Sequence, residues 1–148
     1  MSTSPTIRRA TRADAPELER LFGMLGYPIR SDSILARWAE WEAAGNIALV
    51  ADRQDGTLAG VITLHHTHVL HRERPVGRIS ALVVDASVRG RGIGRSLVAA
   101  AEVILTEAGC EVIEVTSNMR RTDAHAFYER LGYERTSYKF AKRTPCTV

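Results

Sequence analysis

The sequence predicts an α/β chain of the α+β kind, with a mixed, mostly antiparallel central sheet and helices on both faces. Three observations carry that expectation. The spacing of apolar residues is helical from Asp14 to Ala44, strand-like from Ile47 to Asp85, and helical again after Gly92. Two turn signals, "DG" at Asp55-Gly56 and "HRERP" at 71–75, cut the strand-like stretch into three, which predicts an antiparallel meander. One strand-helix-strand unit then runs from Gly77 to Asn118, and such a unit closes as a right-handed parallel crossover.

Taken in order, "PTIRRAT" (5–11) reads as a first strand. Asp14 is placed to cap a helix with Pro16 in its first turn, and Leu18, Leu21, Phe22 and Leu25 mark its apolar stripe. Gly26 can end it. "SDSILARWAEWEAAG" (31–45) is a second helix, capped by Ser31 or Asp32, with Ile34, Leu35, Trp38 and Trp41 on one face and Gly45 closing it. "IALVADRQ", "LAGVITLHHTHVL" and "GRISALVVD" are the meander strands. A helix from Ile93 to about Glu107 buries Ile93, Leu97, Ala101, Ile104 and Leu105, and Gly109 stops it. "CEVIEVTSN" is a strand, and "TDAHAFYERLG" is a short helix capped by Thr122 or Asp123 and stopped by Gly132. "YERTSYKFAKR" is expected to finish the chain as one or two strands.

The 148 residues suit one domain with one sizeable core, and no repeat or linker divides them. No apolar stretch approaches 20 residues, which argues against a membrane span. The first 17 residues lack an apolar signal core. Cys110 and Cys146 have neither metal-ligand nor redox spacing, so a reduced, cytoplasmic protein without a metal is the expectation. A net charge of +3 is too mild to point to nucleic acid.

The chemistry concentrates in "VRGRGIGR", where Gly90, Gly92 and Gly94 alternate with Arg89, Arg91 and Arg95 around Ile93 at a strand-to-helix turn. A helix start offers unpaired amides and the positive end of the helix dipole. Glycines let a ligand approach the backbone, and guanidinium groups suit phosphate. A phosphate-bearing ligand follows. The dinucleotide fingerprint fails, because the third glycine comes one residue early and the next strand ends in Asn118, not an acid. The triphosphate loop fails on spacing as well.

What remains is Arg-x-x-Gly-x-Gly at Arg89, Gly92 and Gly94, after a strand ending "LVVD". A second signature follows in "SNMRRTDAHAFYERLGYE", with Asn118, Ala124, Phe127, Tyr128, Gly132 and Tyr133. Together, in this order, they resemble the GNAT superfamily of N-acetyltransferases, and the succession of elements is similar to that fold from end to end. The resemblance implies a single N-acetyltransferase domain over 1–148, with acetyl-CoA as co-substrate. It implies a site made by the backbone of Leu82, Val83 and Val84, by the loop Arg89, Gly90, Arg91, Gly92, Ile93, Gly94 and Arg95, and by Asn118 and Tyr128. Periodicity alone makes Tyr128 a core aromatic with a hydrogen-bonded tip. The resemblance makes it the group that meets the CoA sulfur.

The acceptor implied is a primary amine of a small molecule attacking the thioester directly. A protein N-terminus or lysine side chain, or a non-catalytic acyl-CoA-binding role, stands as the alternative. Members often form homodimers; nothing implies a nucleic-acid or membrane partner. Many relatives carry a Glu near position 80 or 81 as general base, whereas Ser80 and Ala81 stand here. His65, His66, His68 and Glu114 are the candidates in its place, although each histidine also reads as an ordinary polar strand residue.

Overall fold

A computed structural model describes residues 4–146. The chain divides into two units, Met1–Val115 and Thr116–Val148. In the first, β1 (Thr6–Arg9), α1 (Ala15–Leu25) and α2 (Ser31–Ala43) precede the meander β2 (Ile47–Asp52), β3 (Leu58–Thr67) and β4 (Val76–Val84). Then come α3 (Ile93–Glu107) and β5 (Val112–Val115). The strands lie side by side in the order β1-β2-β3-β4-β5, antiparallel except for the parallel β4–β5 pair. The expected mixed sheet is present, and the parallel pair is the one joined by a crossover helix.

Helices cover both faces, as the two apolar patterns require. On one face Leu18 and Leu21 of α1 and Trp38 of α2 pack on Ala48, Val50, Val61 and Val83. The other belongs to α3, whose buried stripe includes Leu97, Val98, Ala101 and Leu105. There the sheet makes room with glycines: a Cβ on Gly60 would stand 3.1 Å from the Leu97 side chain, and one on Gly77 3.0 Å from Leu105.

Two register shifts interrupt the ladders. Thr63 opposes Ala81 but Leu64 opposes Ile79, so Ser80 is an extra residue in β4. Likewise Ala51 opposes Gly60 but Asp52 opposes Leu58. Each is a β-bulge, which bends a strand and re-aims its side chains.

Several local expectations need correction. Asp14 occupies the cap position of α1 as expected, but its side chain makes no cap hydrogen bond there. Its carboxylate accepts from the Thr11 amide (2.7 Å) and takes both terminal nitrogens of Arg8 (2.8 Å each). Neither Ser31 nor Asp32 caps α2 from its own side chain: Arg30 holds the cap position, and Glu19 of α1 accepts the Ser31 amide at 2.8 Å. Leu35 is exposed, unlike Ile34, Trp38 and Trp41 on the packed face. For Asp14 and for the Ser31 amide, a side chain on a neighbouring element took the place of the local cap.

The second unit holds α4 (Thr122–Arg130), ended by Gly132 in the left-handed region (φ 94°). Arg121, not Thr122 or Asp123, occupies its cap position. No strand forms over 134–146. Tyr138 and Phe140 would share one strand face but are 84% and 93% exposed, so no burial offsets the entropy of ordering that stretch. Among the described residues, no helix is long and apolar enough to cross a membrane.

Candidate functional site

The glycine-arginine loop leaves the end of β4 and enters α3. Asp85, the first residue after the strand, is buried. Its carboxylate accepts from the Ser87 amide and hydroxyl (2.9 Å each), from Arg20 (2.7 Å), and pairs with Arg53 at 3.2 Å. The Ser87 amide, with Arg20 beside it, holds this acid down to about 2 against the opposing effect of burial. Arg20 also grips Glu17 and the Leu58 carbonyl, and Glu17 accepts the Leu58 amide. The root of the loop is therefore tied to α1 and to the start of β3. None of this network was legible as a motif, because Arg20 and Asp85 stand 65 residues apart.

Past a short 3-10 turn at Ala86–Val88, Gly90 and Gly92 adopt φ of 80° and 82°, a conformation that L side chains rarely adopt. Gly92 is the residue before α3, and Gly94 and Ile93 are buried within its first turn. The loop's turns thus deliver the chain into the helix start, where the first amides have no intrahelical acceptor. Arg91 and Arg95 are exposed beside it. Arg89 is exposed too, and its Nε donates to the Val84 carbonyl at 3.2 Å.

The strand leading in has a second property. Its ladder with β5 runs only from Val76/Val112 to Ile79/Val115, while β4 continues to Val84. Beyond the Ser80 bulge the strands no longer pair. The Asp85 amide donates back to Ala59 on β3 (2.8 Å). By strand alternation Val83 also directs its amide and carbonyl towards β3, while those of Leu82 and Val84 face the opened edge. Of the three strand residues expected at the site, Leu82 and Val84 are the two whose backbone groups face that edge, the Val84 carbonyl already accepting from Arg89. Val83 instead buries its side chain in the α1/α2 cluster.

In the second unit, the Asn118 side chain closes its own turn, accepting from the Arg120 amide at 2.9 Å, and the Asn118 backbone carbonyl bonds the His125 ring at 2.8 Å. His125 was not singled out in the sequence; its i+7 spacing from Asn118 was the only signal. Tyr128 packs edge-on against Phe127 and Tyr133, with ring centroids 5.2 and 5.8 Å away. Burial pushes its phenol above the ordinary tyrosine range, with Arg121 opposing. It is a protonated hydroxyl at neutral pH, able to donate.

Backbone amides at a helix start beside three guanidinium groups suit a pyrophosphate. An open strand edge next to them suits an extended chain carrying amide groups. That combination fits a coenzyme with both parts. The comparisons agree. Residues 14–133 match the model of the acetyltransferase (GNAT) family. An aminoalkylphosphonate N-acetyltransferase of Salmonella typhimurium is 34% identical over 92% of this chain and 89% of its own. An aminoglycoside N(6')-acetyltransferase type 1 of Stenotrophomonas maltophilia is 31% identical over 98% and 96%. Among solved structures, a Trypanosoma brucei acetyltransferase superposes with a TM-score of 0.83 at 25% identity, over 94% of this chain and 99% of that one. An aminoglycoside N-acetyltransferase in complex with CoA shares the fold with a TM-score of 0.81 at 23% identity, over 97% of each.

Proposed function

The chain belongs to the GNAT family of acetyltransferases, an acetyl-CoA-dependent N-acetyltransferase, and from that premise we propose that its acceptor is a primary amine of a small molecule, acetylated by direct attack on the thioester. The two relatives that match nearly the whole chain carry names of enzymes acting on small amines, which supports this acceptor class over a protein N-terminus or lysine.

In this reading the pyrophosphate of acetyl-CoA sits on the amides at the start of α3, flanked by Arg89, Arg91 and Arg95. The pantetheine arm lies along Leu82 and Val84, and an edge amide of β4 polarises the thioester carbonyl. The neutral amine attacks, the C–N bond forms, and the tetrahedral intermediate collapses with cleavage of the C–S bond. Tyr128 donates a hydrogen bond to the departing sulfur. Tyrosine near 10 and a thiol near 8.5 make full transfer of its proton uphill by about 2 kcal/mol before burial adds to it, so the bond stabilises the thiolate without a completed transfer. Neither cysteine enters the scheme.

The single observation that carries this reading is the junction of an unpaired β4 edge with a positive-φ glycine loop at the start of α3. Calorimetric titration of acetyl-CoA, with ATP and NAD as controls, tests it on the wild type and on Gly92→Glu. Acetyl-CoA binding that the variant loses, with ATP and NAD weak, is the expected result. A folded wild type that ignores acetyl-CoA overturns the site. Thiol release over a panel of amines then tests the acceptor class; turnover confined to peptide amines overturns it.

A further inference from the structure

Resting on that acetyl-transfer reading, we infer that His65 on β3 is the proton acceptor that readies the amine for attack, reached from the β4–β5 fork through the hydroxyls of Thr63 and Ser80. An alkylammonium with a pKa near 10.4 is neutral in only about one molecule in 2,500 at pH 7, so a base is needed. Positions 80 and 81, Ser and Ala, hold no carboxylate.

The geometry supplies an alternative. Ser80 is the bulged residue of β4, next to Ile79, where the ladder to β5 stops. Its hydroxyl lies 2.7 Å from that of Thr63. His65 is two residues further along β3, so it shares the face of Thr63, about 7 Å on at strand rise. That is the face on which Val61 and Val83 pack under α1 and α2. The Thr63–Ser80 hydroxyl pair therefore lies on this face between the fork and His65.

His65 is also in the right state. Its Nδ1 is shut off from solvent and has no hydrogen-bond partner. Arg78 on β4 directly opposes it, Glu114 on β5 opposes Arg78 in turn, and His66 adjoins it on β3 with its side chain on the α3 face. Burial first, then the charges of Arg78 and His66, push its pKa below the ordinary histidine value. The ring is therefore neutral at physiological pH. Glu114 stands beyond Arg78 and is the competitor.

The balance closes. The ammonium gives one proton through the hydroxyls to the imidazole, and the amine lone pair forms the C–N bond. The C–S bond breaks, the nitrogen sheds its second proton, and the thiolate takes one up. One proton in net leaves for solvent by way of His65.

The test compares wild type, His65→Gln and Glu114→Gln, with 2-aminoethylphosphonate and kanamycin as amine probes. Acetyl-CoA affinity is read by calorimetry, kcat/KM by thiol release from pH 6 to 10, and the His65 ring by NMR titration. His65→Gln should bind acetyl-CoA as the wild type does and lose about 100-fold in kcat/KM at pH 7, within the range for a positioned base. The loss should shrink about tenfold per pH unit as the amine deprotonates itself. Glu114→Gln should stay near wild type. A loss independent of pH, no loss, or a shrinking loss in Glu114→Gln instead overturns His65 alone. So does a wild-type ring that stays protonated through pH 7, a readout that survives even if His65→Gln fails to fold. A wild type that binds no acetyl-CoA or acetylates neither probe overturns the acetyl-transfer reading and His65 with it.

Discussion

Tyr128 and Asp85 illustrate what single side chains do here. Tyr128→Phe keeps the ring packing on Phe127 and Tyr133 and removes only the hydroxyl. It should lower kcat about 100-fold with acetyl-CoA affinity unchanged, as steady-state kinetics beside calorimetry will show. An equal fall in affinity would reassign the hydroxyl to binding. Asp85→Asn removes the charge on which Arg20 and Arg53 converge. It should cost about 2 kcal/mol in urea denaturation, the scale of hydrogen bonds to a charged group. Tyr128 could be named from the sequence only because its motif was local. Asp85 could not, since its value depends on Arg20 and Arg53, which the fold brings from other elements. The caps of α1 and α2 failed for the same reason: Asp14 and the Ser31 amide found stronger partners in Arg8 and Glu19.

At the scale of elements, periodicity was a reliable guide wherever burial had one clear direction. The α3 helix runs from Ile93 to Glu107 as its apolar stripe requires, because Ile93, Leu97, Ala101 and Leu105 are all buried, with Ile104 half-buried beside them. The expectation failed for 134–146, where alternation of Tyr138 and Phe140 supplied the pattern without a surface to bury it. Strand pairing also imposes a demand that composition hides. A Cβ at Gly60 would lie 2.8 Å from the Val83 carbonyl oxygen, a backbone atom that cannot step aside. Gly60→Ala should therefore cost about 2 kcal/mol by overpacking, read from the denaturation midpoint. It should also weaken acetyl-CoA binding, because Val83 and Val84 move with β4. An Ala variant as stable as wild type would show that the strands slide freely.

Over the whole chain, charge decides how the protein meets acid. Asp14 and Glu17 are held below their ordinary values mainly by Arg8 and Arg20, and Asp85 down to about 2 by the Ser87 amide. Each is a group whose folded pKa lies under its unfolded one, so each stabilises fully above about pH 4.5 and progressively less as pH falls towards 2. His65, also lowered, binds its proton more readily unfolded and adds a gentler loss beginning near pH 6.5. The urea midpoint should be flat near pH 7 to 8, slip below 6.5, and drop steeply under 4.5. A midpoint that rises on acidification would contradict these pairings. The bulge at Ser80 has one more consequence. Before it, odd residues Gly77 and Ile79 face α3; after it, even residues Leu82 and Val84 do, as their partners His66, Leu64, Ile62 and Gly60 show. The strand changes its reading frame in mid-course. Drawing that one residue into regular pairing would act on side chains as a frameshift acts on codons: with the downstream half held in place, Arg78 would be sent into the α3 core and Ile79 out of it.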